Sequence, residues 1–137
     1  MDLQNLSYAV VQVVHNFGAA TVVGAPLAAL TLARGHLDKQ HKLAWLALAG
    51  WAAQLASGAS FGAVSFYNYG KFPDLHGIAV AALIIKVACA GLSLLLGLAM
   101  IRAGAKWSDK GRRRVWHALA GLGTTALTAA AFLRWFS

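Results

Sequence analysis

Long apolar stretches alternate with short polar ones along the whole chain. Four stretches are long enough to cross about 30 Å of hydrocarbon, which takes roughly 20 apolar residues: residues 6–32, 43–66, 76–101 and 115–136. The polar breaks between them run from Arg34 to Lys42, from Tyr67 to Asp74 and from Arg102 to Arg114. Short breaks make consecutive helices antiparallel neighbours. The pattern therefore predicts an all-α, integral-membrane, up-down-up-down four-helix bundle, with residues 1–137 forming one domain.

Composition supports this class. The chain has 137 residues, 59% hydrophobic and only 12% charged, whereas a soluble domain is about 25% charged. The start, Met-Asp-Leu-Gln-Asn-Leu-Ser, carries no Lys or Arg ahead of the first apolar stretch, so that stretch reads as a retained span and not as a cleaved signal. A single cysteine, Cys89, excludes an intramolecular disulfide framework and a multi-cysteine zinc site. Nothing resembles a nucleophile–base pair, a phosphate loop or paired carboxylates, and an electron carrier or transporter fits better than a stand-alone enzyme.

The net charge of +8 sets direction and does not point to nucleic acid. Arg34, Lys39, Lys42, Arg102, Lys106, Lys110, Arg112, Arg113 and Arg114, nine of the twelve Lys and Arg residues, lie in the first and third breaks. Lys71 and Arg134 lie at the other side. The positive-inside rule puts the first and third breaks in the cytoplasm and both termini outside. Trp45, Trp107 and Trp116 then fall near the inner interface, and Tyr8, Tyr67, Tyr69 and Trp135 near the outer one.

The twelfth basic residue, Lys86, stands about ten residues into the third stretch, roughly 15 Å deep at 1.5 Å per residue. An ionisable group at that depth costs on the order of 2.5–3.5 kcal/mol and normally faces the bundle with a partner. All four carboxylates, Asp2, Asp38, Asp74 and Asp109, lie at the ends of spans or between them. Lys86 is therefore neutral, solvated by polar groups, snorkelling to an interface, or paired with an anion the chain does not supply. Polar residues of other spans reach a matching level. Gln12, His15 and Asn16 share a stripe with Tyr8 and Ala19, and Gly50, Gln54, Gly58 and Gly62 recur every four residues with Ser57 beside them. Thr124, Thr125 and Thr128 occupy the middle of the last span, where threonines commonly bond back to their own helix.

The five histidines divide by side. His36, His41 and His117 belong to the basic edge. His15 and His76 belong to the outer half of two parallel, diagonal helices, where facing imidazoles could grip a flat macrocycle or a metal ion. The stretch boundaries put His15 about 10 Å deeper than His76. Beside Asp74, His76 also reads as a helix-start residue. The pair Ala25-Pro26 is expected to kink the first helix, because Pro26 removes one ladder bond.

Several of these residues carry a resemblance to the four-helix membrane module of the copper-resistance D (CopD) family. Val11-Gln-Val-Val-His15-Asn-Phe-Gly-Ala-Ala-Thr-Val-Val-Gly24 resembles its histidine-bearing helix, and Leu83-Ile-Ile-Lys86-Val-Ala its lysine-bearing helix. Gly111-Arg-Arg-Arg-Val-Trp-His-Ala-Leu-Ala, followed by Thr124-Thr-Ala-Leu-Thr128-Ala-Ala, is similar to its basic loop and last span. The resemblance implies copper handling at the bacterial inner membrane. The chain is also similar to small four-helix membrane proteins that bind haem b through a first-helix histidine. Copper(I) prefers thioether and thiolate ligands, and here Met1, Met100 and Cys89 are scattered.

Three expectations stand side by side. In the first, the protein binds a b-type haem for electron transfer, with His15 and His76 as ligands, Lys86 on a propionate or an anionic quinone, and Gln54 lining the site. In the second, it transports copper through His15 and His76, or passes it to a periplasmic redox or copper protein. In the third, it is an accessory subunit of a larger membrane complex that binds no cofactor.

Overall fold

The computed structural model describes residues 2–136. Four helices fill it: α1 (Leu3–Thr31), α2 (Leu37–Tyr69), α3 (Ile78–Ala103) and α4 (Asp109–Phe136), with a short 3-10 turn at Gly104–Lys106. No strand occurs among the described residues. Each helix packs on its sequence neighbours, and α4 returns to close the ring on α1. The pairing is antiparallel throughout. Gln4 of α1 donates to the Tyr69 hydroxyl at the end of α2 (2.6 Å), while Gln40 at the start of α2 donates to the Ala33 carbonyl just after α1 (3.0 Å).

Local chemistry explains the helix ends. The Asp2 side chain accepts the Gln4 N–H and caps α1. Gly35, with φ of +69°, makes the left-handed turn into α2, and Gly70, with φ of +68°, closes it. The Ser108 hydroxyl accepts the Gly111 N–H at the start of α4 (3.1 Å). The helices run further than the apolar stretches do. Residues 37–42 belong to α2 and residues 109–114 to α4, because charged side chains leave hydrocarbon without leaving a helix. One boundary moves the other way: α3 begins at Ile78, so His76 precedes the helix and is not part of it. Pro26 is buried inside α1, which runs unbroken to Thr31.

Three helices are long and apolar enough to cross a membrane: α1, α3 with its following turn, and α4. α2 holds Gln40, Gln54 and Ser57 as buried polar side chains. The packed interior is built from small residues and a few large anchors. Val22, Trp51, Cys89, Ala90 and Ala126 form a middle cluster, and Ala29, Ala44, Met100, Trp116 and Leu119 a second one toward the basic end. Large apolar residues such as Phe17, Ile84 and Leu95 point outward, the arrangement a lipid solvent permits. Glycine sets the helix spacing where backbones meet. A Cβ at Gly123 would stand 2.8 Å from the Val22 carbonyl oxygen, and one at Gly50 would stand 2.9 Å from the Thr21 methyl.

Candidate intramembrane site

His15, Gln54, Ser57 and Lys86 meet near the middle of the bundle, on the side away from its basic end. The four residues come from three helices. Ser57 lies one turn beyond Gln54 on α2, so both face α1, and their burial follows from that shared stripe. Gln54 Nε2 donates to the His15 carbonyl (2.5 Å), adding a second acceptor bond to a group within the continuous helix α1. The Ser57 hydroxyl sits 2.7 Å from His15 Nδ1 and 2.5 Å from the Ala53 carbonyl. From α3, Lys86 Nζ reaches across the diagonal to His15 Nε2 at 3.2 Å. Phe61 presents its ring edge-to-face to His15, with centroids 5.6 Å apart, and Tyr8 stacks on Phe61.

These contacts assign the imidazole tautomer. A carbonyl can only accept, so the Ser57 hydroxyl gives its hydrogen to Ala53. Its oxygen is then the acceptor for His15 Nδ1–H. Nε2 carries the lone pair and accepts from Lys86. The hydrogen is placed here by the network of partners. The anchored Nδ1–H fixes the orientation of the ring, and Nε2 faces a side chain on a flexible stem.

The aspartates take no part. Asp2 caps α1, Asp38 lies in the first turn of α2, Asp74 lies ahead of α3, and Asp109 opens α4. Lys86 thus donates to an imidazole and has no carboxylate of its own helices at this depth.

The remaining predicted residues go elsewhere. His76 Nε2 pairs with Asp74 at 3.2 Å, with both side chains largely exposed. It precedes α3, whose first residue lies eight positions before Lys86, an axial separation of about 12 Å. His15 and His76 therefore hold different partners at different levels. Thr124, Thr125 and Thr128 bond back to their own helix as expected, each donating to a carbonyl four residues back in α4, and their side chains are exposed and do not join the site. They line an outward apolar groove of about 720 Å³ between α3 and α4 with Ile78, Ala82 and Phe132. Gln12 and Asn16 bond to each other at 2.7 Å. His36, His41 and His117 make local contacts with Arg34, Trp45 and Arg113. Among the described residues no group of three or more His, Cys, Asp and Glu side chains converges.

Two buried polar groups at the basic end escaped sequence reasoning. Gln40 accepts from Trp116 Nε1 (3.2 Å) while donating to Ala33, so Trp116 is a core anchor and not an interfacial residue. Arg112 is buried, donating to the Gly104 and Trp107 carbonyls and to Asp109. Neither residue differs by type from its exposed neighbours, so composition and spacing carried no signal for it.

Comparison with known protein families, with characterised proteins and with solved structures finds no match to this chain. The class rests on the molecule itself: an all-α four-helix protein, three of whose helices suit a membrane, with a histidine–lysine pair inside the bundle.

Proposed function

We propose that this protein is a four-span bacterial inner-membrane protein that binds a b-type haem at His15 for electron transfer. The observation that carries the reading is the His15 environment, with Nδ1 anchored to Ser57 and the Nε2 lone pair met only by Lys86 Nζ at 3.2 Å, a group on a flexible stem that can withdraw. A haem answers both groups at once. His15 would hold the iron through Nε2 once Lys86 withdraws from it, and Lys86 would then meet a propionate, an anion of the kind it lacks. When bound, the haem supplies one-electron redox chemistry. The protein's part is to orient His15 through Ser57, hold the α1 backbone through Gln54, and offer Lys86 to a carboxylate. Copper is supported less well, since the donors around His15 are nitrogen and hydroxyl oxygen, and Cys89 and Met100 belong to the two core clusters.

The topology follows the same line. α2 packs antiparallel on α1 and beside α3, both apolar enough to span. It therefore crosses as the fourth span, with Gln54 and Ser57 turned inward. The basic end faces the cytoplasm and both termini the periplasm.

The test is the optical spectrum of the detergent-purified protein. We expect a Soret band that sharpens on reduction, lost in His15→Ala and kept in His36→Ala and His117→Ala. A colourless protein with stoichiometric copper would select copper transport, and one with neither would select an accessory subunit. An unchanged spectrum in His15→Ala would remove His15 as the ligand.

A further inference from the structure

The basic end of the bundle holds a second, smaller cavity of about 190 Å³, where the α1–α2 turn meets the start of α4. Its floor is built from Leu30, Gln40 and Trp116, and its rim from Arg34, Arg113 and Asp109. The floor is rigid. Gln40 is buried, and both ends of its amide are engaged, with Ala33 and with Trp116. The rim is cationic on balance. Asp109 is answered by Arg112, which is buried behind it. Arg34 donates its Nε to the Leu30 carbonyl (2.7 Å), which fixes the stem of an exposed side chain that borders the cavity. Arg113 lends its carbonyl to His117 and keeps its exposed side chain for the rim. Nine of the twelve Lys and Arg residues stand at this end.

We infer that this cavity binds the phosphodiester of an anionic phospholipid headgroup, gripped between Arg34 and Arg113, with the lipid's glycerol region against Leu30 and Trp116. The chemistry of the lining selects this ligand. Two guanidinium groups match phosphate oxygens by paired hydrogen bonds. The apolar wall directly beneath them suits an amphipathic molecule better than a free ion. Basic pockets between membrane helices at the cytoplasmic surface are where anionic headgroups bind. The inference depends on the chain being in a membrane and not on the haem.

The full-length protein, placed in nanodiscs of phosphatidylcholine alone or with added phosphatidylglycerol, tests it through thermal stability and the lipid retained on extraction. Phosphatidylglycerol is expected to raise the unfolding temperature and to co-purify. The double substitution Arg34→Gln/Arg113→Gln should reduce that retention on the order of tenfold or more. A control, Lys39→Gln/Arg114→Gln, removes two charges from the same end outside the cavity and should keep most of the effect. Arg34→Lys/Arg113→Lys keeps the charge without the fork and should fall between. Equal losses in the control and cavity variants would reduce the effect to diffuse attraction and overturn the site. Inorganic phosphate in phosphatidylcholine discs that reproduced the whole shift would assign it to a free anion, overturning the lipid reading.

Discussion

At His15 one hydroxyl decides which nitrogen carries the hydrogen. Ser57 holds Nδ1, so replacing it leaves the ring able to rotate and to present either nitrogen. Partners of this kind are worth about 10–100-fold in metal affinity. If His15 holds a haem as proposed, Ser57→Ala is expected to lower its retention about tenfold, with Ser57→Thr restoring most of it, both read from the Soret absorbance per protein. Lys86 invites a different experiment. Lys86→Met keeps the stem and removes a half-buried amine whose partner is an imidazole. The bundle should keep its stability or gain, because a costly polar group has left the membrane interior. Haem retention should fall, or its midpoint potential shift. A more stable variant with unchanged haem would leave Lys86 without a functional role.

Helix spacing is set by a few glycines, and the molecule contains its own control. Gly123 and Gly121 lie two residues apart on α4. A methyl group at Gly123 would press on the Val22 carbonyl oxygen at 2.8 Å, whereas Gly121 has nothing within 4 Å. Gly123→Ala must push α4 away from α1 and should cost about 1–3 kcal/mol. Gly121→Ala should be neutral or mildly stabilising through helix propensity. Unfolding of the two variants in the same detergent checks the difference, and equal stabilities would mean that α1 and α4 do not touch at Gly123. From sequence, the glycines of α2 stand out by their spacing of four. Gly123 does not, because its importance lies in the approach of another backbone.

Across the whole molecule, the asymmetry of basic residues sets the expected direction. A phosphatase fused to the C-terminus should be active in the periplasm, while a fluorescent protein there that lights up in the cytoplasm would reverse the topology. Helix number, order and antiparallel winding were legible in the sequence because apolar length and short polar breaks are local properties. So was the mid-bundle level of His15, Gln54 and Lys86, which follows from counting residues along helices. Tertiary structure decided which side chains at that level meet. Ser57 lies 42 positions from His15, and Lys86 lies 71 positions away. Their contacts depend on the rotation of α2 and α3 about their own axes. Helices this apolar on all sides carry little angular information, so close packing of small residues sets the rotation. The same packing turned the threonines of α4 outward and Trp116 inward, and left His76 beyond the end of α3 beside Asp74. Sequence determined what had to leave water, a matter of composition and length. Only interhelical contact determined which polar groups, once out of water, became one another's partners.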